Sequence, residues 1–185
     1  MTKRKQTSGR QVLAVLALAL PIYLMMVLGP LAWIADIAGQ PAFDLRPMGY
    51  SAAEAEALLN ALGEKGRALY LWRQIPLDLI YPALMAAVFW TLCRWLESKS
   101  QDSAVFPVAA LRFARWLGLV AAAADYSENL SVILMLSAAL PLPVIVPIAS
   151  AATIAKSVLT TGVIALIIAA SVAIWRQLRR LSVVE

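Results

Sequence analysis

The residues best placed to do chemistry lie in AAAADYSENLSV, residues 121–132, where Asp125, Glu128 and Asn129 interrupt an otherwise apolar run. Their i, i+3, i+4 spacing puts all three on one face of a helix. A carboxylate held among apolar groups is costly unless it is paired or hydrogen-bonded, so three polar groups on one face call for a partner. The next apolar run supplies one: Lys156 shares its side of a helix with Ser150, Thr153, Ser157, Thr160 and Thr161. Glu128 is nine residues back from Ser137, and Lys156 nine residues on from Pro147. At the helical rise both fall roughly 13 to 14 Å below the same membrane boundary. Lys156 is therefore expected to pair with Glu128 or Asp125, because an isolated charge at that depth costs at least about 2.5 to 3.5 kcal/mol.

An earlier apolar run adds Gln74, Asp78, Tyr81, Pro82 and Met85 on one face. Asp78 is expected to be shallow, in the first turn or two, where a carboxylate also complements a helix N-terminus. Tyr81 is expected either to reach the deeper carboxylates or to sit at the interface. If Asp78, Asp125 and Glu128 all ionised against Lys156, two negative charges would be left in low dielectric, so at least one carboxyl should hold a proton.

Such a set suits binding, with or without movement, of a small amphiphile, lipid or cation by Asp125, Glu128, Asn129 and Lys156, shaped by Asp78, Tyr81, Thr153 and Thr160. An enzyme reading gives the same groups catalytic roles, with a protonated Glu128 or Asp125 as acid and Lys156 as electrostatic partner in a metal-free lipid modification or isomerisation. A third reading is structural: the network fixes helix pairing, or seats a helix of a larger complex for which this chain is an accessory or assembly subunit.

The composition narrows these classes. There is no histidine and one cysteine, Cys93. An intramolecular disulfide is impossible, His-ligated haem is excluded, and the absence of imidazole argues against a dedicated zinc or iron site. No Walker loop, GxGxxG or GxSxG segment occurs, and Ser127 lies on another side of its helix from the carboxylates. No metal or other cofactor is expected.

The elements that must hold these residues are membrane helices. Of 185 residues, 62% are hydrophobic and 15% charged, with a mean hydropathy of +0.76, far above a soluble domain. Four runs reach the length of a span: 12–34, 75–96, 111–137 and 147–175. No linker or repeat divides the chain, so 1–185 is expected to form a single all-α membrane domain, a four-helix antiparallel bundle in contact with membrane lipids. The first run is too long for a signal peptide core and is retained as a span.

Lys3, Arg4, Lys5, Arg10, Arg94, Lys99, Arg112, Arg115, Arg176, Arg179 and Arg180 flank the spans on one side; Arg46, Lys65, Arg67 and Arg73 lie on the other, among acids. The positive-inside rule then places both termini in the cytoplasm, in an inner membrane. The same distribution argues against nucleic acid, since the basic residues form flanking clusters and no continuous basic face. Were DYSEN a loop, five crossings would put Arg176, Arg179 and Arg180 on the wrong side. Four spans leave little room for an enclosed path, so transport would require a homo-oligomer or a larger complex.

The segment 36–74 is expected on the extracytoplasmic side. Its first half, with Pro41 and Pro47, should be extended. A capping box of Ser51 and Glu54 then starts a short amphipathic helix, 52–62, ended by Gly63 or Gly66. Trp33, Tyr70 and Trp72 suit the interfacial aromatic belt on that side, and Trp95, Trp116 and Trp175 the cytoplasmic one. Pro141, Pro143 and Pro147 are expected to keep the last connection non-helical.

Overall fold

The computed structural model describes residues 7–103 and 105–181, the side chains of 101–103 and 181 excepted. Lys3, Arg4 and Lys5, which carry part of the orientation reading, lie outside the described residues. The chain is all-helical: α1 Gly9–Leu28, α2 Pro30–Ala38, a 3-10 turn Phe43–Leu45, α3 Ala52–Leu69, a π turn Tyr70–Gln74, α4 Ile75–Ser103, α5 Val108–Leu136 and α6 Leu142–Leu181. No strand occurs among the described residues. Four helical stretches are long and apolar enough to cross a membrane: Gly9–Ala38, Ala52–Ser100, Val108–Leu136 and Leu142–Arg180.

α5 runs unbroken through Asp125–Asn129, so the loop alternative for DYSEN is excluded. The first span is divided at Gly29, at φ −114° and ψ −107°. Pro30 explains the break, since it lacks an amide donor and steers the preceding residue away from helical backbone. Pro21 is absorbed within α1.

The capping box forms as read: the Ser51 hydroxyl accepts from the Glu54 amide, and the Glu54 carboxylate accepts from the Ser51 amide at 2.7 Å. The helix it starts is longer than expected. Gly63, at φ 56°, kinks it, but α3 resumes to Leu69 and joins α4 through the π turn. Ala55, Leu58, Leu59 and Leu62 are buried while Glu54, Glu56 and Asn60 are exposed, which is the amphipathic division expected.

The proline-rich connection is a correction. α6 begins at Leu142 and contains Pro143 and Pro147. Pro143 is in the first turn, where amides have no intrahelical acceptor anyway. The Pro141 carbonyl accepts from the Val144 and Ile145 amides, starting the helix. Only Pro147 removes a hydrogen bond.

α5 packs against α4 and α6, α1 against α4, and α2 against α3. Two apolar clusters result. One, with Ile34, Phe43, Leu58, Tyr70, Ile75, Val132, Met135 and Ala149, lies at the end carrying residues 39–51. The other, with Phe89, Cys93, Leu96, Leu111, Ala114 and Val163, lies toward the opposite end. On α4, α5 and α6 alike, the stretch between the clusters carries the polar residues: Asp78, then Asp125–Asn129, then Thr153–Lys156.

Candidate functional site

Glu128 and Asn129 are fully buried, and the polar face of α5 points inward. The Lys156 ammonium lies 2.9 Å from Asp125 Oδ1 and forms a second ion pair with Glu128 Oε2. The Lys156 side chain is 16% exposed and that of Glu128 is 0%. The i, i+3 spacing thus lets one cation serve two carboxylates from the adjacent helix. The Thr153 hydroxyl, one turn before Lys156, lies 2.5 Å from Glu128 Oε1 and 3.0 Å from the Ala149 carbonyl, either of which can accept its proton.

Asn129 donates from Nδ2 to the Asp78 carbonyl at 2.8 Å, which ties α5 to α4. The exposed Tyr126 hydroxyl donates to the Leu79 carbonyl at 3.0 Å beside it. Asp78, read from the sequence as near a helix N-terminus, instead follows an unbroken helical lead-in and is 2% exposed. The chain before it continues upward as the π turn and α3, and residues 39–51 fold over that end. The extra residue per turn of a π turn brings Tyr70 and Gln74, both fully buried, onto the side of the helix that continues to Asp78.

The segment 39–51 supplies the residues the sequence reading missed. Tyr70, assigned there to the interfacial belt, is a core residue: its hydroxyl donates to Asp44 Oδ2 and accepts from the Phe43 amide at 3.1 Å. Asp44 in turn lies near Asp78. Tyr50 donates its backbone amide to Ser150 Oγ at 3.0 Å, and its buried hydroxyl lies beside Thr153. Burial, and then the negative charge of Glu128 and Asp44, holds that phenol above its ordinary range, so it stays protonated. Phe43 and Tyr50 pack ring to ring at 4.7 Å. An Asp between apolar residues gives the only hint in the sequence that this segment turns inward.

Among the described residues four carboxyls, the buried Asp78 and Glu128 and the half-buried Asp44 and Asp125, therefore lie around one ammonium, that of Lys156. Tyr81 and Thr160 do not join this network. Tyr81 stacks on Tyr23 at 5.8 Å. With Thr160, Asp125, Met85, Phe89 and Ala121 it lines a cleft of about 60 Å³. That volume holds a few water-sized groups. A larger groove of about 600 Å³ between Ala83, Trp90, Ala122 and Tyr126 is lined without a carboxylate.

Among the described residues no three His, Cys, Asp or Glu side chains group so as to hold a metal ion. At the far end Arg115, read from the sequence as an orientation signal, pairs with Glu97 at 3.1 Å and lies over the Trp90 ring. Comparison with protein-family models, with curated proteins and with solved structures returns no match for this chain.

Proposed function

We propose that this chain is a four-span inner-membrane protein, an antiparallel bundle with both termini cytoplasmic, that binds a small cation at Asp125, Glu128 and Lys156. The observation that carries the reading is that carboxyls outnumber the ammonium they surround, with Asp78 and Glu128 buried and Asp44 and Asp125 half-buried about Lys156, and that a cleft opens onto Asp125. A cleft beside a cluster in which carboxyls outnumber the ammonium attracts positive charge. Its volume of about 60 Å³ suits an ammonium-type ion or hydronium better than a lipid or a long amphiphile. Asp125 supplies the charge at the cleft, Thr160 and Tyr81 its polar lining, and Glu128, Lys156, Thr153 and Asn129 hold Asp125 in place.

Intramembrane lipid modification needs a lipid-sized space against the carboxyls; the large groove has none in its lining. An accessory-subunit role needs a polar face turned outward, whereas Glu128, Asn129 and Thr153 are buried. Movement of the ion would require an oligomer or a partner in the membrane.

The test is a series of ammonium, methylammonium, diethylammonium and tetraethylammonium chlorides, read as thermal shifts of the protein in nanodiscs. Stabilisation is expected for the first two and is expected to vanish by tetraethylammonium. An equal response across the series, or none to the small ions, contradicts the reading.

A further inference from the structure

The end of the bundle opposite residues 39–51 carries a basic cleft. α6 has 40 residues, so at the helical rise it is roughly 60 Å long, about twice the thickness of a hydrocarbon core. It therefore leaves the lipid as a helix. Its apolar run ends at the exposed Trp175, a residue type that settles at headgroup level. Around that point Ala173, Arg176, Gln177 and Arg180 recur at i, i+3, i+4 and i+7, which sets them along one face.

That face lines a cleft of about 510 Å³ whose other wall is Val105, in the connection between α4 and α5. The wall is held from two sides. Ser100, at 0% exposure, accepts from the Phe106 amide at 3.1 Å and donates to the Phe106 carbonyl. Phe106 and Ile174 of α6 both pack on the second apolar cluster, which keeps the connection against α6.

The charge in the cleft is one-sided. Among the described residues no carboxylate lines it. Glu97, the acid of this end whose side chain is described, is buried and held by Arg115 at 3.1 Å. Arg179 lies instead over the Trp175 ring, 4.3 Å from its centroid. Arg176 and Arg180 are exposed, one turn apart on the face that lines the cleft. Like charges at that spacing repel, and an anion between them turns the repulsion into two attractions. The guanidinium fork matches phosphate oxygens two at a time.

We propose that Arg176 and Arg180 bind the phosphate of an anionic phospholipid, with Ala173 and Val105 giving its glycerol an apolar seat. Basic pockets between membrane helices suit such headgroups, and Trp175 sets these arginines at the level of the lipid phosphates. A zwitterionic lipid brings an ammonium beside its phosphate, which the arginine pair disfavours; a headgroup with net negative charge has no such conflict. The inference rests on the proposed placement of the four helices in a membrane and is independent of the cation site at Asp125.

The experiment places the purified full chain in nanodiscs of phosphatidylglycerol and phosphatidylcholine in equal parts and counts the lipids it retains by native mass spectrometry. The parent is expected to retain phosphatidylglycerol in preference, near one per chain. In Arg176→Gln, Arg180→Gln the preference is expected to fall about tenfold, as loss of a charge-assisted hydrogen bond implies. In Arg10→Gln, Arg112→Gln, which removes the same charge outside the cleft, it is expected to fall about twofold or less, because distant exposed charges are screened. All four side chains are exposed, so folding is expected to be unaffected; the thermal midpoint in phosphatidylcholine checks this. The charge-conserving Arg176→Lys, Arg180→Lys is expected to lose more of the preference than the Arg10, Arg112 variant does, since lysine cannot form the fork. Equal retention of the two lipids by the parent overturns the lipid site alone, as does an unchanged preference in Arg176→Gln, Arg180→Gln or an equal fall in the two glutamine variants. A chain that enters no nanodisc overturns the membrane placement and the lipid site with it.

Discussion

Lys156→Met is expected to cost about 3 to 5 kcal/mol of folding stability, the largest effect of any single substitution in this protein. Removing one partner of a buried ion pair strands the other without compensation, and here one cation serves both Asp125 and Glu128. With the Glu128 side chain at 0% exposure, water cannot take over the role of the ammonium. The deficit should shrink as pH is lowered, when protons fill the carboxyls in place of the lost charge. The triple variant Asp125→Asn, Glu128→Gln, Lys156→Met is expected to recover most of the loss, since all three groups become neutral at similar volume. Denaturant unfolding in micelles measures both. A single variant within about 0.5 kcal/mol of the parent would mean that the pair contributes no more than an exposed one does.

The second large effect is expected at Gly49, where the 39–51 segment meets α6. Its φ of 78° costs a residue with a side chain roughly 1 to 2 kcal/mol. A Cβ there would also run into Ser150 Oγ and come within 3.0 Å of Ile154 Cδ1. Overpacking adds about 1 to 3 kcal/mol, so Gly49→Ala is expected to lower stability by roughly 2 to 5 kcal/mol. Alternatively the segment lifts, breaking the bond from the Tyr50 amide to Ser150 and carrying Asp44 away from Asp78. Thermal unfolding measures the first outcome, and faster proteolysis between residues 39 and 51 the second. An unchanged midpoint with unchanged proteolysis would show that the segment is not held against α6 as described.

What the sequence made legible follows from periodicity. The i, i+3, i+4 spacing of Asp125, Glu128 and Asn129, and the equal distances of Glu128 and Lys156 from their helix ends, were enough to place the ion pair, because a helix converts sequence separation directly into depth and direction. The Ser51 and Glu54 box was legible for the same reason: capping is local. Asp44, Tyr50 and Tyr70 were not, since an irregular segment has no period, and an aspartate in it looks the same whether it faces water or folds back onto a helix. Tyr70 was misread because the π turn that rotates it inward leaves no mark in residue type. Pro143 and Pro147 misled in the opposite direction: a rule for helix interiors was applied to Pro143 in a first turn, where it has no force, and to Pro147, where the helix continues with one hydrogen bond lost.

The central claim is that the buried carboxyls bind a small cation as well as tie helices together. It is tested most directly by equilibrium binding of radiolabelled methylammonium to the protein in nanodiscs, compared with the triple variant Asp125→Asn, Glu128→Gln, Lys156→Met after its folding has been verified. Saturable binding near one ion per chain is expected in the parent and none in the variant. Absence of saturable binding in the parent, or equal binding in both, would leave the cluster as a structural network and contradict the claim.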